Sequence, residues 1–357
     1  MISPDLPAAL KAALEAKLQG QSRRDAAQRA ARISAAYRGG GNSGTITTDA
    51  DAIAYATVRM PAAYRAGETS ATAIKGAADA QAYALVRMPA TYAAVAASLN
   101  ALMQASPEFA PVSLLDIGAG PGTASFAAAD AFSSLTSFDA FDSNPALRTL
   151  ALALADDTMR VRDLDYALGP ARVLLDRAAS ADLVIASYMI GELSDTERSH
   201  LVDALWARTD DTLLIVEPGT PAGYQRIIAA RDRLIAAGAH VAAPCPHAAV
   251  CPLIAPDWCH FAQRLARSRA HRELKGADVP FEDEKFSYIA LTRQPVPHRP
   301  AARILAPPAV TKIGAMAKLC RADGTAAAVA ISRRDKAAFA TARRWDWGDG
   351  VEPPPRP

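Results

Sequence analysis

From residue 112 onward, short apolar runs alternate with helix-sized amphipathic stretches. VSLLDIGAG, LTSFDAFDS, ADLVIASYMI and DTLLIVEPG read as strands, and PALRTLALALA and DTERSHLVDALWAR as helices between them. KFSYIALTR adds a late strand. This alternation predicts a mainly parallel, doubly wound α/β sheet of the Rossmann-like kind. Earlier in the chain the pattern is helical. Residues 1–40 are Ala-rich with interspersed charge, and Ser22-Arg-Arg-Asp25 resembles a capping box. A flexible link is expected at GGGNSGTITT. The segment from Ala54 to Tyr64 returns from Ala82 to Tyr92 with nine of eleven positions identical. Two copies are too few for a solenoid, so they predict paired helical segments, each bent or restarted at its proline (Pro61, Pro89). Beyond residue 295 prolines cluster, and AMAKLC and AAAVAI flank an Arg-Ala-Asp-Gly324 turn. A small β appendage is expected there, with a disordered PPPRP tail. The predicted organisation is a helical region to residue 105, an α/β domain over 106–295, and the appendage over 296–357.

Composition changes this picture little. Half of the 357 residues are apolar, enough for a sizeable core. No apolar run is of bilayer length, and the N-terminus lacks a charged start leading into an apolar stretch. A cytoplasmic, bacterial-type protein with no membrane and no DNA partner is the expectation. Charge is more informative. Residues 1–225 carry 18 Lys/Arg against 25 Asp/Glu, whereas 226–357 carry 21 against 12. The basic C-terminal third is expected to face a polyanion.

Two constellations carry chemistry. The first is Leu114-Leu-Asp-Ile-Gly-Ala-Gly-Pro-Gly-Thr123 at a strand end. Gly118, Gly120 and Gly122 let backbone approach a ligand closely, and Asp142 at the next strand end can bind ribose hydroxyls. The G-x-G-x-G loop after Asp116 resembles motif I of class I S-adenosylmethionine methyltransferases. That resemblance implies that Asp116, Gly118, Gly120 and Gly122 surround the methionine and ribose part of the cofactor. It further implies that Asp142 holds the ribose hydroxyls, that Asp163, placed after the third strand, lies near the adenine amine, and that Ser187 contacts the cofactor. Where aminomethylating enzymes carry an Asn/Asp-Pro-Pro-aromatic motif, this chain has SYMIGEL. Its Tyr188 and Glu192 are the candidates to orient a nucleophile or accept a proton.

The second constellation is Cys245, Cys251 and Cys259, with Cys320 further on, and these are all the cysteines of the chain. A reducing compartment disfavours disulfides. Spacings of five and seven are wide for a zinc knuckle and suit a loop around a larger iron–sulfur object. Zinc stays open, because His247 and His260 could complete a mixed site. The cysteine segment, about 240–275, is expected as an insertion between late strands. Directly after it, Arg264, Arg267 and His271 align on a predicted helix with Arg272 and Lys275 alongside; Arg333 and Arg334 form a second basic group. Arginines interleaved with aromatics suit RNA.

Together, Tyr83-x3-Arg87-x-Pro89, LLDIGAGPGTAS, SYMIGEL, VEPGTPAGY, the CPH…CPL…WCHF run, EDEKFSYIALTR, Cys320 and ARRWDWGD resemble the methyltransferase-like family that acts in small-ribosomal-subunit assembly, in mitochondria and in bacteria. The resemblance covers residues 50 to 350. It implies a [4Fe–4S] cluster on Cys245, Cys251, Cys259 and Cys320, contact with 16S-type rRNA of the small subunit, and a place among S-adenosylmethionine-binding, rRNA-methyltransferase-like factors. The alternatives are a non-catalytic RNA-binding scaffold and a zinc-containing small-molecule methyltransferase.

Overall fold

A computed structural model describes residues 1–17, 77–267, 272 and 279–352. The Ser22–Asp25 box, the glycine link, the first repeat copy, His271, Lys275 and the PPPRP tail lie outside the described residues.

A short helix α1 (Ala8–Ala16) precedes a long one, α2 (Ala77–Ala105). The α/β unit then runs β1 (Ser113–Ile117), α3 (Thr123–Ala131), β2 (Ser137–Asp142), α4 (Pro145–Asp156), β3 (Asp165–Leu168), α5 (Ala171–Leu175), β4 (Ala181–Ser187), α6 (Asp195–Ala207), β5 (Thr209–Pro218), α7 (Pro221–Ala236), β6 (His240–Ala243), β7 (Phe261–Ala266) and β8 (Phe281–Thr292). The strands order as β3-β2-β1-β4-β5-β8-β6, with β7 also on β8. The pairs from β3 to β5 are parallel, whereas β8 runs antiparallel to β5, β6 and β7. This is the mixed Rossmann-like sheet of class I methyltransferases, with its order reversing between β1 and β4. Ligands of such sheets sit at that reversal.

The local sequence explains the elements. Strands β1, β4 and β5 are buried on both faces, so they read as near-continuous apolar runs rather than alternating ones. Asn144 caps α4 by accepting from Ala146 and Leu147 N–H groups, with Pro145 at the first helical position. Ser194 and Glu197 form a reciprocal capping box on α6. One core, including Leu99, Leu102, Leu114, Phe126, Leu147 and Leu183, fills the α1–α4 side of the sheet. A second, including Ile117, Val184, Leu205, Ile215 and Leu234, fills the α5–α7 side. No helix among the described residues is long and apolar enough to cross a membrane.

Three expectations are corrected. The second repeat copy is not restarted at its proline: α2 runs through Pro89 without interruption. Its residues 90 and 92–96 are buried, and this packing outweighs the roughly 3 kcal/mol that an interior proline costs. The first part of the basic segment after Cys259, with Arg264, is strand β7 and not the start of a helix. Its pairing with β8 joins residues distant in sequence, which local periodicity cannot register. Asp163 precedes β3 instead of following it.

Past β8 the chain forms a second, five-stranded sheet from β9 (Ala302–Ile304), β10 (Ala309–Val310), β11 (Gly314–Arg321), β12 (Ala326–Ser332) and β13 (Gly350–Val351), with α8 (Lys336–Ala342) packed on it. Strands β11 and β12 make the hairpin around Gly324. Ala302, Ile304, Ala317, Leu319 and Val351 form its small core.

Candidate functional site

The loop after β1 is held from below. Asp116 is fully buried, and its Oδ2 accepts from Ser125 N (3.1 Å) and Ser125 Oγ (2.8 Å), tying the strand end to the first turn of α3. Its Oδ1 has no partner among the described residues. Burial pushes the carboxyl up to about 7 against the opposing pull of the Ser125 bonds. Gly118, Gly120 and Gly122 all take positive φ. At Gly118 (φ 70°) a side chain would also collide with Met189, its β-carbon falling 2.7 Å from Met189 Cβ. The Tyr166 hydroxyl donates to Gly120 O at 2.7 Å and fixes the loop's outer limb.

Above this loop opens a cleft of about 1040 Å³. Gly118, Gly120, Asp142 and Ser187 line it, together with residues 169–172 after β3. Asp116 and Gly122 shape the loop without lining the cleft, and Asp163 is exposed and does not line it. Asp142 accepts from Gly120 N (3.0 Å) through one oxygen and Asn144 N (2.8 Å) through the other. A carboxylate has about four acceptor sites, so both oxygens retain capacity for a vicinal diol. Burial raises its pKa, and the Asn144 and Gly120 bonds oppose that rise.

The opposite end of the cleft is polar and strained. Among the described residues Tyr188 alone is a non-glycine residue with positive φ (57°), a conformation that costs about 1–3 kcal/mol. Its hydroxyl donates to Glu284 Oε1 (2.8 Å), and Arg87 of α2 donates to both oxygens of the same carboxylate (3.1 and 3.5 Å). Burial, then the Glu284 charge, holds the Tyr188 phenol well above its ordinary range. Glu192 also lines the cleft. Glu217, buried at the end of β5, accepts from Arg226 Nε at 2.7 Å. Sequence reasoning missed Glu284 and Arg226 as cleft residues. The signal for Glu284 was present in the acidic run EDEK, but only the β8 pairing aims it at the cleft.

Cys245, Cys251, Cys259 and Cys320 are free thiols that line one pocket with Tyr224, Arg231, His247, Tyr288 and Arg303. Three come from the segment between β6 and β7; Cys320 comes from β11 of the second sheet. Tyr224 Oη donates to Cys251 Sγ (3.2 Å), and Cys320 Sγ lies 3.3 Å from His247 Nε2. Ser287 Oγ donates to Cys259 O. His260 stacks on Trp258 and meets Trp347 edge-on. Burial, followed by the neighbouring thiols, pushes Cys320 up to about 12 and Cys259 well above its ordinary range. Among the described residues no group of three or more His, Cys, Asp or Glu side chains is arranged to hold a metal ion.

The basic residues separate into two kinds. Arg264 on β7 and Arg267 just beyond its end are ion-paired to β8, to Asp283 (2.7 Å) and Glu282 (3.0 Å). Arg272 is half-buried. Arg333 and Arg334, between β12 and α8, are exposed, and Arg333 lies 5.4 Å over the Phe339 ring.

Residues 77–352 match the family model described as mitochondrial small ribosomal subunit Rsm22. The human mitochondrial ribosome assembly protein METTL17 is 29% identical over 268 residues, which cover 68% of this chain and 56% of that protein. The fission yeast Rsm22-cox11 tandem protein 2, mitochondrial, is 24% identical over 296 residues, covering 66% and 38%. The chain thus spans about half or less of the length of these relatives. Among solved structures, magnesium protoporphyrin IX methyltransferase of Synechocystis with bound SAH is 12% identical, with 67% of this chain and 96% of that chain covered at a TM-score of 0.40. The mitochondrial descriptions of the matched family and of both relatives overturn the expectation of a cytoplasmic, bacterial-type protein.

Proposed function

This chain belongs to the mitochondrial small ribosomal subunit Rsm22 family, and from that premise we propose that it is a mitochondrial assembly factor that binds S-adenosylmethionine and docks on small-subunit rRNA through its basic C-terminal third. The observation that carries this reading is the extent of the match. The matched residues, 77–352, take in the glycine-loop cleft, the thiol pocket and the second sheet together, which supports reading them as parts of one factor.

The cleft suits the cofactor. Its backbone cradle needs glycine at 118, and Asp142 keeps acceptor capacity for two ribose hydroxyls. When bound, S-adenosylmethionine supplies an electrophilic methyl carbon; the chain's contribution is to hold it and to align a nucleophile. The thiol pocket suits a [4Fe–4S] cluster on Cys245, Cys251, Cys259 and Cys320. Four free thiols line one pocket, and a cubane takes one thiolate per corner. His260, stacked on Trp258 and edge-on to Trp347, is a shield in this reading rather than a ligand.

One observation favours a binding role over methyl transfer. Glu284 and Glu217 are each tied to an arginine, and the Tyr188 hydroxyl is spent donating to Glu284. None of these three is poised as a general base, which leaves Glu192, also in the cleft lining, as the candidate for proton removal. Anaerobically purified protein, analysed for iron, sulfide and zinc, should bind S-adenosylmethionine in calorimetry and sediment with small-subunit precursors. Label transfer from methyl-labelled cofactor to rRNA then separates enzyme from scaffold. Absence of both cofactor binding and salt-dependent rRNA binding would sink the proposal.

A further inference from the structure

Two arginines are buried against the thiol pocket in a way that its hydrogen bonds do not explain. Arg231 is 1% exposed and Arg303 4%. Arg231 donates to His247 O (3.1 Å) and Ala249 O (2.7 Å), two carbonyls of the cysteine loop, and to Asp232 (2.6 Å), whose side chain is half in water. Its Nε finds no partner among the described residues. Arg303, on β9 directly across from Cys320 in the strand register, donates to Pro244 O (2.9 Å) and Gly348 O (2.9 Å). No carboxylate salt bridge to it exists among the described residues. Carbonyl oxygens satisfy N–H groups but leave the Arg303 charge uncompensated, and an uncompensated buried guanidinium is costly. Arg231 has only the half-exposed Asp232 carboxylate beside it, whereas Arg87 and Arg226 in the cleft each face a carboxylate that is itself largely buried.

We propose that Arg231 and Arg303 are the counter-charges of the thiol pocket, matched to a bound group whose four-sulfur form carries roughly two net negative charges, as an oxidised cubane or a zinc ion on four thiolates does. The proposal rests on the reading of this pocket as a ligand site. Its content is that the arginines act through charge, as positioning residues that retain the group and set its reduction potential. The loop carbonyls they hold (Pro244, His247, Ala249) border Cys245 and lead toward Cys251, so the same guanidiniums that balance the bound group also fix the segment that ligates it.

Charge and structure are separable by pairing glutamine and lysine substitutions in anaerobically purified full-length protein. In cluster-loaded protein, Arg303→Gln and Arg231→Gln should each move the midpoint in a redox titration followed by electron paramagnetic resonance to a more negative value. A tenfold change in the reduction equilibrium is 59 mV for a one-electron couple. Arg303→Lys and Arg231→Lys should stay near wild type. Arg293→Gln is the control. That arginine also bonds carbonyls (Thr209, Trp206) and stacks on Trp206, but does not line the pocket, so no shift is expected. Glutamine variants at the wild-type potential would overturn the proposal, as would lysine variants that shift or lose the cluster as far as glutamine ones. If glutamine prevents folding, the lysine variants decide alone: loaded and unshifted supports, unloaded refutes. Where the purified protein holds zinc, loss to a chelator is the readout, faster in glutamine than in lysine variants. Wild-type protein without iron, sulfide or zinc would instead refute the pocket's reading as a ligand site.

Discussion

Asp116 is fully buried and has a proton affinity far from that of a free carboxylate. Its pKa rises from the ordinary range up to about 7, with burial as the first cause. The folded state therefore binds this proton more tightly than the unfolded one. Its contribution to stability is full at acid pH and is lost as pH rises through about 7. Asp116→Asn, which keeps an acceptor for Ser125, should flatten the wild-type decline in unfolding free energy between about pH 4 and 7, an effect on the order of a few kcal/mol in denaturant titrations at several pH values. A wild-type stability that does not fall over this window would contradict the assignment. Gly118→Ala meets both a left-handed backbone and Met189. It should lower cofactor affinity at least tenfold by calorimetry while leaving the thiol pocket's metal content intact. These residues also mark the limit of sequence reading. Asp116 and Gly122 stand in the motif but lie beneath the cleft, and Asp163 misses it because β3, a short, half-exposed edge strand, gives too weak an apolar signal to be placed.

Strand β7 makes the same point for whole elements. FAQRLA and the Arg267 that follows it carry arginines at a helical interval, yet FAQRLA is a strand paired with β8, and both arginines face carboxylates on β8. The parallel core strands were legible because burial on both faces makes them apolar throughout; edge strands and non-local antiparallel pairs lack that mark. The pairing has a measurable consequence. Arg267→Glu would set like charges together at a site where both side chains are mostly buried, costing about 1–2 kcal/mol of stability. Arg264→Glu, far more exposed, should cost much less. Arg333→Glu with Arg334→Glu should leave stability unchanged, yet weaken rRNA binding and flatten its dependence on salt. Filter binding at several salt concentrations beside thermal melts separates the outcomes. Unaltered RNA affinity in the Arg333/Arg334 variant would count against docking through this sheet.

The whole molecule is joined by contacts that converge on the cysteine segment. Arg303 reaches from the second sheet to Pro244, Lys318 pairs with Asp257, and Cys320 meets His247. A ligand shared by Cys245, Cys251, Cys259 and Cys320 would lock both sheets together. Cys320→Ser should therefore lower metal occupancy and open residues beyond about 300 to limited proteolysis, with residues 113–218 remaining protected; equal protection in both forms would refute the lock. Strand β8 ties these regions most directly. Within seven residues it holds Arg267 through Glu282, presents Glu284 to the cleft, bonds the Cys259 carbonyl through Ser287 and lines the thiol pocket with Tyr288. Successive side chains on a strand point to opposite faces, so one residue gained or lost inside β8 would turn one of these contacts away from its partner. Evolution can then alter this strand by substitution but not in length. Lineages that have drifted apart should show insertions and deletions gathered in the 268–278 connection, while the interval from Glu282 to Tyr288 stays the same in every one of them.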